Sequence, residues 1–180
     1  MNEYHAWFDG ACGPVNPGGT ATFGVLIKAK DGTVLLREHG YVGQGSTMSN
    51  NVAEYAGVLH ILKYLATRPP GRVTIHGDSK LVINQLNGKW RIRKGLYRSI
   101  AMEAKKLLAH LRRLGWKIDC CWIPREQNED CDKLSKKGRH TKECPHGQTR
   151  NCGSAEHIGQ PMPILKIEIA CEPGRQAMAG

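Results

Sequence analysis

Three strand-like runs follow one another in the first 42 residues, and the connections between them are short. Tyr4–Phe8 is aromatic-rich and ends at Asp9-Gly10. Cys12–Thr20 (CGPVNPGGT) is a cluster of turn formers, and Phe23–Ala29 and Thr33–Val42 are apolar or alternating runs separated by Lys30-Asp31-Gly32. A parallel pair needs a crossover of about a dozen residues or more, so such connections impose antiparallel neighbours. The rest of the chain reads as alternating helices and strands. Val52, Tyr55, Ala56, Leu59, Leu62 and Ala66 recur at helical spacing and stop before Pro69-Pro70. Arg72–Gly77 is a fourth strand, closed by Asp78-Ser79, and Lys80–Leu86 is a short helix. Leu96–Leu114 is a longer helix, Lys117–Ile123 a fifth strand and Asn128–Lys137 a final helix. The order βββ-α-β-α-α-β-α predicts an α/β protein: a five-stranded mixed sheet, three antiparallel strands with two parallel additions, and helices on its faces.

From Gly138 the periodicity ends and Gly, Pro, Gln, Ser and His dominate. Residues 1–137 therefore read as one domain and 138–180 as a flexible tail, with one added strand at 164–171. The tail carries His140, Cys144, His146, Cys152 and His157. Cys144-Pro145-His146 is too tight for the usual pairing of zinc ligands, so the tail is not read as a zinc site.

Charge points to the class of partner. Lys and Arg number 26 against 16 acids, a net charge of +10. The segment 89–117 holds ten basic residues and a single acid, Glu103. A solvated helix face would have the same composition. Trp90 and Tyr97 among those cations favour a sugar–phosphate partner instead, with Trp90, Arg91, Arg93 and Lys94 as contacts. No run approaches the length of a membrane span. The start of the chain lacks a basic and then apolar leader, and seven cysteines are an odd number. Reduced thiols and a cytoplasmic location are expected.

Four acids stand out by position: Asp9 at the end of the first strand, Glu54 early in the first long helix, Asp78 after the fourth strand and Asp132 in the last helix. Each alone suits a turn, a cap or a surface ion pair. If the first and fourth strands are parallel neighbours, Asp9 and Asp78 meet at one edge, and like charges that close repel. A hard divalent cation with oxygen ligands relieves that repulsion, and two such ions stabilise both the attacking and the leaving oxygen of a phosphodiester.

The joint pattern resembles type I ribonuclease H. The resemblance is carried by Trp7-Phe8-Asp9-Gly10 with Asn16-Pro17-Gly18-Gly19, by Ser49-Asn50-Asn51-Val52-Ala53-Glu54-Tyr55, by His76-Gly77-Asp78-Ser79, and by Trp122–Asn128 leading to Asp130-Cys131-Asp132-Lys133-Leu134-Ser135. It implies the ribonuclease H-like fold, in a compact version without the full basic handle. It implies Asp9, Glu54, Asp78 and Asp132 as catalytic metal ligands, with Asp130 set aside. Two Mg²⁺ ions per site, or Mn²⁺, are implied as cofactors. The RNA strand of an RNA–DNA hybrid would be hydrolysed to 5′-phosphate and 3′-hydroxyl ends. Asn16, Asn50, Asn51 and Ser79 are implied near the substrate, Ser49 at a DNA-strand phosphate, and a monomer is expected. Many relatives have a histidine in the loop before the last carboxylate, and Ile123–Cys131 has none. Arg125 can act there electrostatically but cannot shuttle a proton. Two other readings were weighed. Four intact carboxylates argue against a binding module that has lost catalysis. The Asn-Pro-Gly-Gly and Ser-Asn-Asn elements, suited to 2′-hydroxyl and phosphate reading, argue against a resolvase or integrase.

Overall fold

A computed structural model describes residues 2–137; the predicted tail and its strand at 164–171 lie outside them. The strands are β1 (Glu3–Gly13), β2 (Gly18–Ala29), β3 (Val34–Gly45), β4 (Arg72–Gly77) and β5 (Lys117–Trp122). The helices are α1 (Asn50–Ala66), α2 (Lys80–Leu86), α3 (Arg98–Arg113) and α4 (Glu129–Lys137), with a 3₁₀ turn at Arg125–Gln127. The sheet order is β3-β2-β1-β4-β5. β1 pairs antiparallel with β2 and β2 with β3, while β4 lies parallel to both β1 and β5. This is the mixed sheet expected from the pattern. None of the described helices is long and apolar enough to cross a membrane.

One expectation needs correction. β1 does not end at Phe8. It runs through Asp9 to Gly13, and β2 begins at Gly18, so the turn shrinks to 14–17. Turn-forming composition does not prevent pairing here: Asp9↔Gly24 through Gly13↔Thr20 continue the antiparallel ladder and satisfy the backbone. The parallel ladder to β4 stops earlier, at Trp7↔His76. Asp9 thus sits in mid-strand yet just past the point where β1 and β4 part.

Side-chain alternation assigns the two faces. Gly10 pairs with Phe23 and Asp9 with Gly24, and residues paired in register point to the same side. A Cβ on Gly10 would collide with the backbone nitrogen of Glu54 and lie 2.6 Å from the Ala53 carbonyl carbon, so α1 crosses directly over Gly10. A Cβ on Gly24 would lie 2.6 Å from the Cys131 carbonyl oxygen and 2.7 Å from the Ser135 nitrogen, so α4 lies on the opposite face. Both glycines are there for close approach rather than for a special backbone angle.

α1 is sandwiched between the sheet and α3, which explains why it is apolar nearly all round. Phe8, Val25, Ile27, Tyr55, Ile61, Leu62, Leu65, Ile75 and Leu111 are fully buried in this layer. Each contributes roughly 2 kcal/mol of burial free energy. A polar relay crosses it. Tyr55 Oη donates to Gln85 Oε1 at 2.7 Å, and Gln85 Nε2 donates to the Arg91 carbonyl at 3.0 Å. The basic segment between α2 and α3 is thereby tied to the core.

Candidate active site

The fold draws the four predicted carboxylates to one region. Asp9 leaves β1 on the α4 face and is 7% exposed. Glu54 arrives from the second turn of α1, over Gly10. Asp78 is the first residue after β4, beside β1. Asp132 is supplied by α4. Their mutual influence on ionisation shows the proximity. Burial, first, and then the charges of Asp78 and Asp132 push Asp9 up to about 6, against an opposing hydrogen bond from Ser135. Burial, with Asp9 and Asp78 adding to it, pushes Glu54 up to about 8, against a hydrogen bond with Ser79. Asp132 goes the other way: burial raises it, but hydrogen bonds from Lys136 and Arg125 together outweigh that and hold it below the usual carboxylate range.

Asn128 and Ser135, to which the sequence reading gave no role of their own, arrange these acids together with Arg125 and Lys136. Asn128 is 2% exposed; its Nδ2 donates to the Phe8 carbonyl at 2.9 Å and to Asp78 Oδ1 at 3.2 Å. It pins the start of α4 to β1 and to the acid at the end of β4. Ser135 Oγ lies 2.5 Å from Asp9 Oδ2. Arg125 Nη2 donates to Asp132 Oδ1 at 2.6 Å and Lys136 Nζ to its Oδ2 at 2.5 Å. The only sequence signal for this group was the stripe Asn128, Asp132, Ser135, at i, i+4 and i+7 on one helical face. Asp130 is exposed and paired with Arg37 at 3.3 Å, away from this cluster.

The predicted substrate residues fall into two groups. Asn16 Oδ1 accepts from the Asn50 nitrogen at 3.0 Å, and Asn50 Oδ1 accepts from the Cys12 nitrogen at 2.6 Å. The β1–β2 turn is thus fastened to the start of α1. Ser49 is the N-cap of α1, accepting from Val52 nitrogen at 3.3 Å, and Asn51 lies half-buried beside it. Ser79 caps α2, accepting from Val82 nitrogen at 3.4 Å, and also reaches Glu54. Trp90, Arg91, Arg93 and Lys94 form the other group, exposed on the irregular segment between α2 and α3. Cys120 and Cys131 are buried, and Cys121 is exposed, because β5 presents it on the face opposite to Cys120.

Among the described residues, no three acidic, histidine or cysteine side chains form a ready-made metal cage. The donor set nonetheless fits a hard cation. All four are carboxylates, and Glu54 Oε2 is buried with no hydrogen-bond partner. An unpartnered buried oxygen is costly unless something positive meets it. Asp132 is the exception, since both its oxygens already meet cationic side chains. A cleft of about 490 Å³, lined by Trp7, Leu26, Lys28, Asp130 and Lys133 among others, opens on the α4 face, but none of the four acids lines it. This is not the enclosed pocket of a small-molecule enzyme.

Residues 8–138 match the family model described as reverse transcriptase-like. The chain belongs to this family. Its fold is the ribonuclease H fold, shared with the crystal structure of ribonuclease H1 from the archaeon Halobacterium salinarum (28% identity, TM-score 0.65, covering 76% of this chain and 97% of that one). In sequence it is 33% identical over 131 residues to ribonuclease HI of Halobacterium salinarum, covering 73% of this chain and 61% of that protein. It is 29% identical over 120 residues to the bifunctional protein Rv2228c of Mycobacterium tuberculosis, covering 67% of this chain but only 31% of that protein. LC11-RNase H1, solved in complex with an RNA/DNA hybrid, has the same fold (24% identity, TM-score 0.63, covering 74% of this chain and 94% of that one).

Proposed function

We propose that this protein is a ribonuclease H: a metal-dependent endonuclease that hydrolyses the RNA strand of RNA–DNA hybrids. The observation that carries this is the convergence of Asp9, Glu54, Asp78 and Asp132 from four separate elements of a ribonuclease H fold. Similarity to a ribonuclease HI and to a ribonuclease H1 crystallised with hybrid supports the substrate class.

Asp9, Glu54, Asp78 and Asp132 would hold the divalent ions, Mg²⁺ or Mn²⁺. Bound there, two ions would supply an activated water and offset charge at the attacking and leaving oxygens, and 5′-phosphate and 3′-hydroxyl ends would result. The chain's own groups do the positioning. Ser79 and Asn128 fix Glu54 and Asp78 from the side. The Asn16–Asn50–Cys12 bonds fasten the β1–β2 turn to the start of α1, and the amide side chains there would suit the reading of a 2′-hydroxyl. Arg125 places a fixed positive charge on Asp132, in the loop where relatives carry a histidine. It cannot carry a proton.

The test is cleavage of end-labelled RNA–DNA hybrid, duplex RNA, duplex DNA and single-stranded RNA, each with Mg²⁺ and with EDTA. Cleavage of the hybrid's RNA strand alone, and only with the ion, is expected. Cleavage of duplex DNA, or activity in EDTA, would overturn the reading.

The exposed basic segment makes a separate prediction. Replacing Arg91, Arg93 and Lys94 together by Ala is expected to weaken hybrid binding by about tenfold or more at 0.1 M salt. It should also lower the slope of log K against log salt by about 2–3. Titrations of labelled hybrid at several salt concentrations check it, and an unchanged slope would remove these side chains from the interface.

A further inference from the structure

α4 contributes more than Asp132. Ser135, one turn further on, is fully buried, and its hydroxyl lies 2.5 Å from Asp9 Oδ2 and 2.9 Å from the Asp132 carbonyl oxygen. A serine hydroxyl has one proton, so it can donate to one of these acceptors at a time. The carboxylate takes it, because a charged acceptor makes the stronger bond. The Ser135 carbonyl in turn accepts from Thr22 Oγ1 at 2.6 Å, and Thr22 is also fully buried on β2. Ser135 is thus tied to β2 through its backbone and reaches Asp9 on β1 through its hydroxyl. At the other end of the same helical stripe, Asn128 gives Asp78 its neutral donor. Asp9 is held from α4 and Asp78 from the residue just before that helix, on either side of Asp132 in the chain.

We propose that Ser135 is a positioning residue for the metal site, a role that rests on the carboxylate assignment above. Its hydroxyl occupies one of the roughly four lone-pair sites of the Asp9 carboxylate and fixes the rotamer in which the remaining ones face Glu54 and Asp78. Like-charged neighbours cannot supply that restraint, since they repel the carboxylate. Without the hydroxyl, Asp9 must be ordered when the cation arrives, and that ordering weakens binding.

The test is calorimetric titration of the full chain with Mn²⁺ alone, without nucleic acid, together with thermal melting. Ser135→Ala is smaller and suits a helix, so it is expected to fold and to weaken Mn²⁺ affinity by about tenfold, the scale of one hydrogen bond to a charged group. Thr22→Val, which removes the bond on the other side of Ser135, is expected to lower the melting temperature while leaving Mn²⁺ affinity within about twofold. In hybrid cleavage, Ser135→Ala should raise the Mn²⁺ concentration for half-maximal rate and leave the rate at saturating Mn²⁺ nearly unchanged. Mn²⁺ affinity equal to the parent chain in a folded Ser135→Ala protein overturns the proposal, as does an equal loss in Thr22→Val. If the parent chain binds no Mn²⁺ that Asp9→Asn abolishes, the carboxylate assignment itself fails, and this role fails with it.

Discussion

Asp9→Asn is expected to lower the rate of hybrid cleavage at saturating Mg²⁺ by about a thousandfold or more. The substitution keeps the size of the side chain and an oxygen for Ser135 to bond. It removes the charge that a divalent ion would meet between Asp78 and Asp132. The fold should not suffer, because Asp9 is a buried acid whose ionisation is opposed by burial and by two like charges. A neutral amide relieves both. The expected pairing is therefore lost activity with an unchanged or raised melting temperature, and with hybrid affinity in EDTA within a few-fold of the parent. Single-turnover cleavage and thermal melting of the same preparation check it. Mg²⁺-dependent cleavage above about 1% of the parent rate would mean that Asp9 does not carry the reaction.

The second large effect is an inverted dependence of stability on pH. Unfolded, Asp9 and Glu54 titrate near 3.8 and 4.5; folded, they titrate near 6 and 8. Between about pH 5 and pH 8 the folded state therefore holds more protons than the unfolded state, and stability must fall as pH rises. Asp132 acts in the opposite sense. Its folded value lies below 3.8 because Lys136 and Arg125 outweigh its burial. Its contribution is intact above the unfolded value and is lost as pH falls through the folded one. In EDTA the contribution of these three groups is therefore largest near the unfolded values, at about pH 4, and falls by roughly 5 kcal/mol between pH 5 and pH 8. A divalent ion held by the ionised forms should flatten or reverse the decline. Glu54→Gln should remove most of the decline, since an amide has nothing to titrate. Urea unfolding at pH 5, 6.5 and 8, with EDTA and with Mg²⁺, measures all of this. Parallel pH profiles for the parent chain and Glu54→Gln in EDTA would show that Glu54 is not ionising against its surroundings.

The two effects share an origin that the chain shows only in part. The element order was legible because each run announces itself locally. The spacing of apolar residues marked α1 and α3, Pro69-Pro70 closed α1, and Asp31-Gly32 marked the β2–β3 turn, where Gly32 has a φ of 89°. The extent of β1 was not legible. Gly13 and Gly18 read as turn formers, yet Gly13 pairs with Thr20 across the hairpin and Gly18 with Gly45 of β3, because the ladders give their backbones partners.

The grouping of the four acids was an expectation from the family resemblance of their motifs rather than from any property of a lone Asp or Glu. Their neighbours were less legible. Nothing in a sequence distinguishes a serine at the end of a charged helix from a solvated one. Ser135 acquires its role because Gly24 lets α4 press against β2 until the hydroxyl reaches Asp9. Which lysine of α4 pairs with Asp132, Lys133 or Lys136, is likewise not written in the sequence. In the structure Lys133 pairs with Glu129 instead, at 3.1 Å.

By itself, then, the sequence determined which segments become strands and helices and their order, because those follow from short-range periodicity and turn chemistry. Tertiary structure alone decided how the four acids ionise and what holds them. Burial, like-charge proximity and a hydrogen bond spanning 126 residues of chain arise only when β1, β4, α1 and α4 pack together, and no local pattern encodes the desolvation that such packing creates.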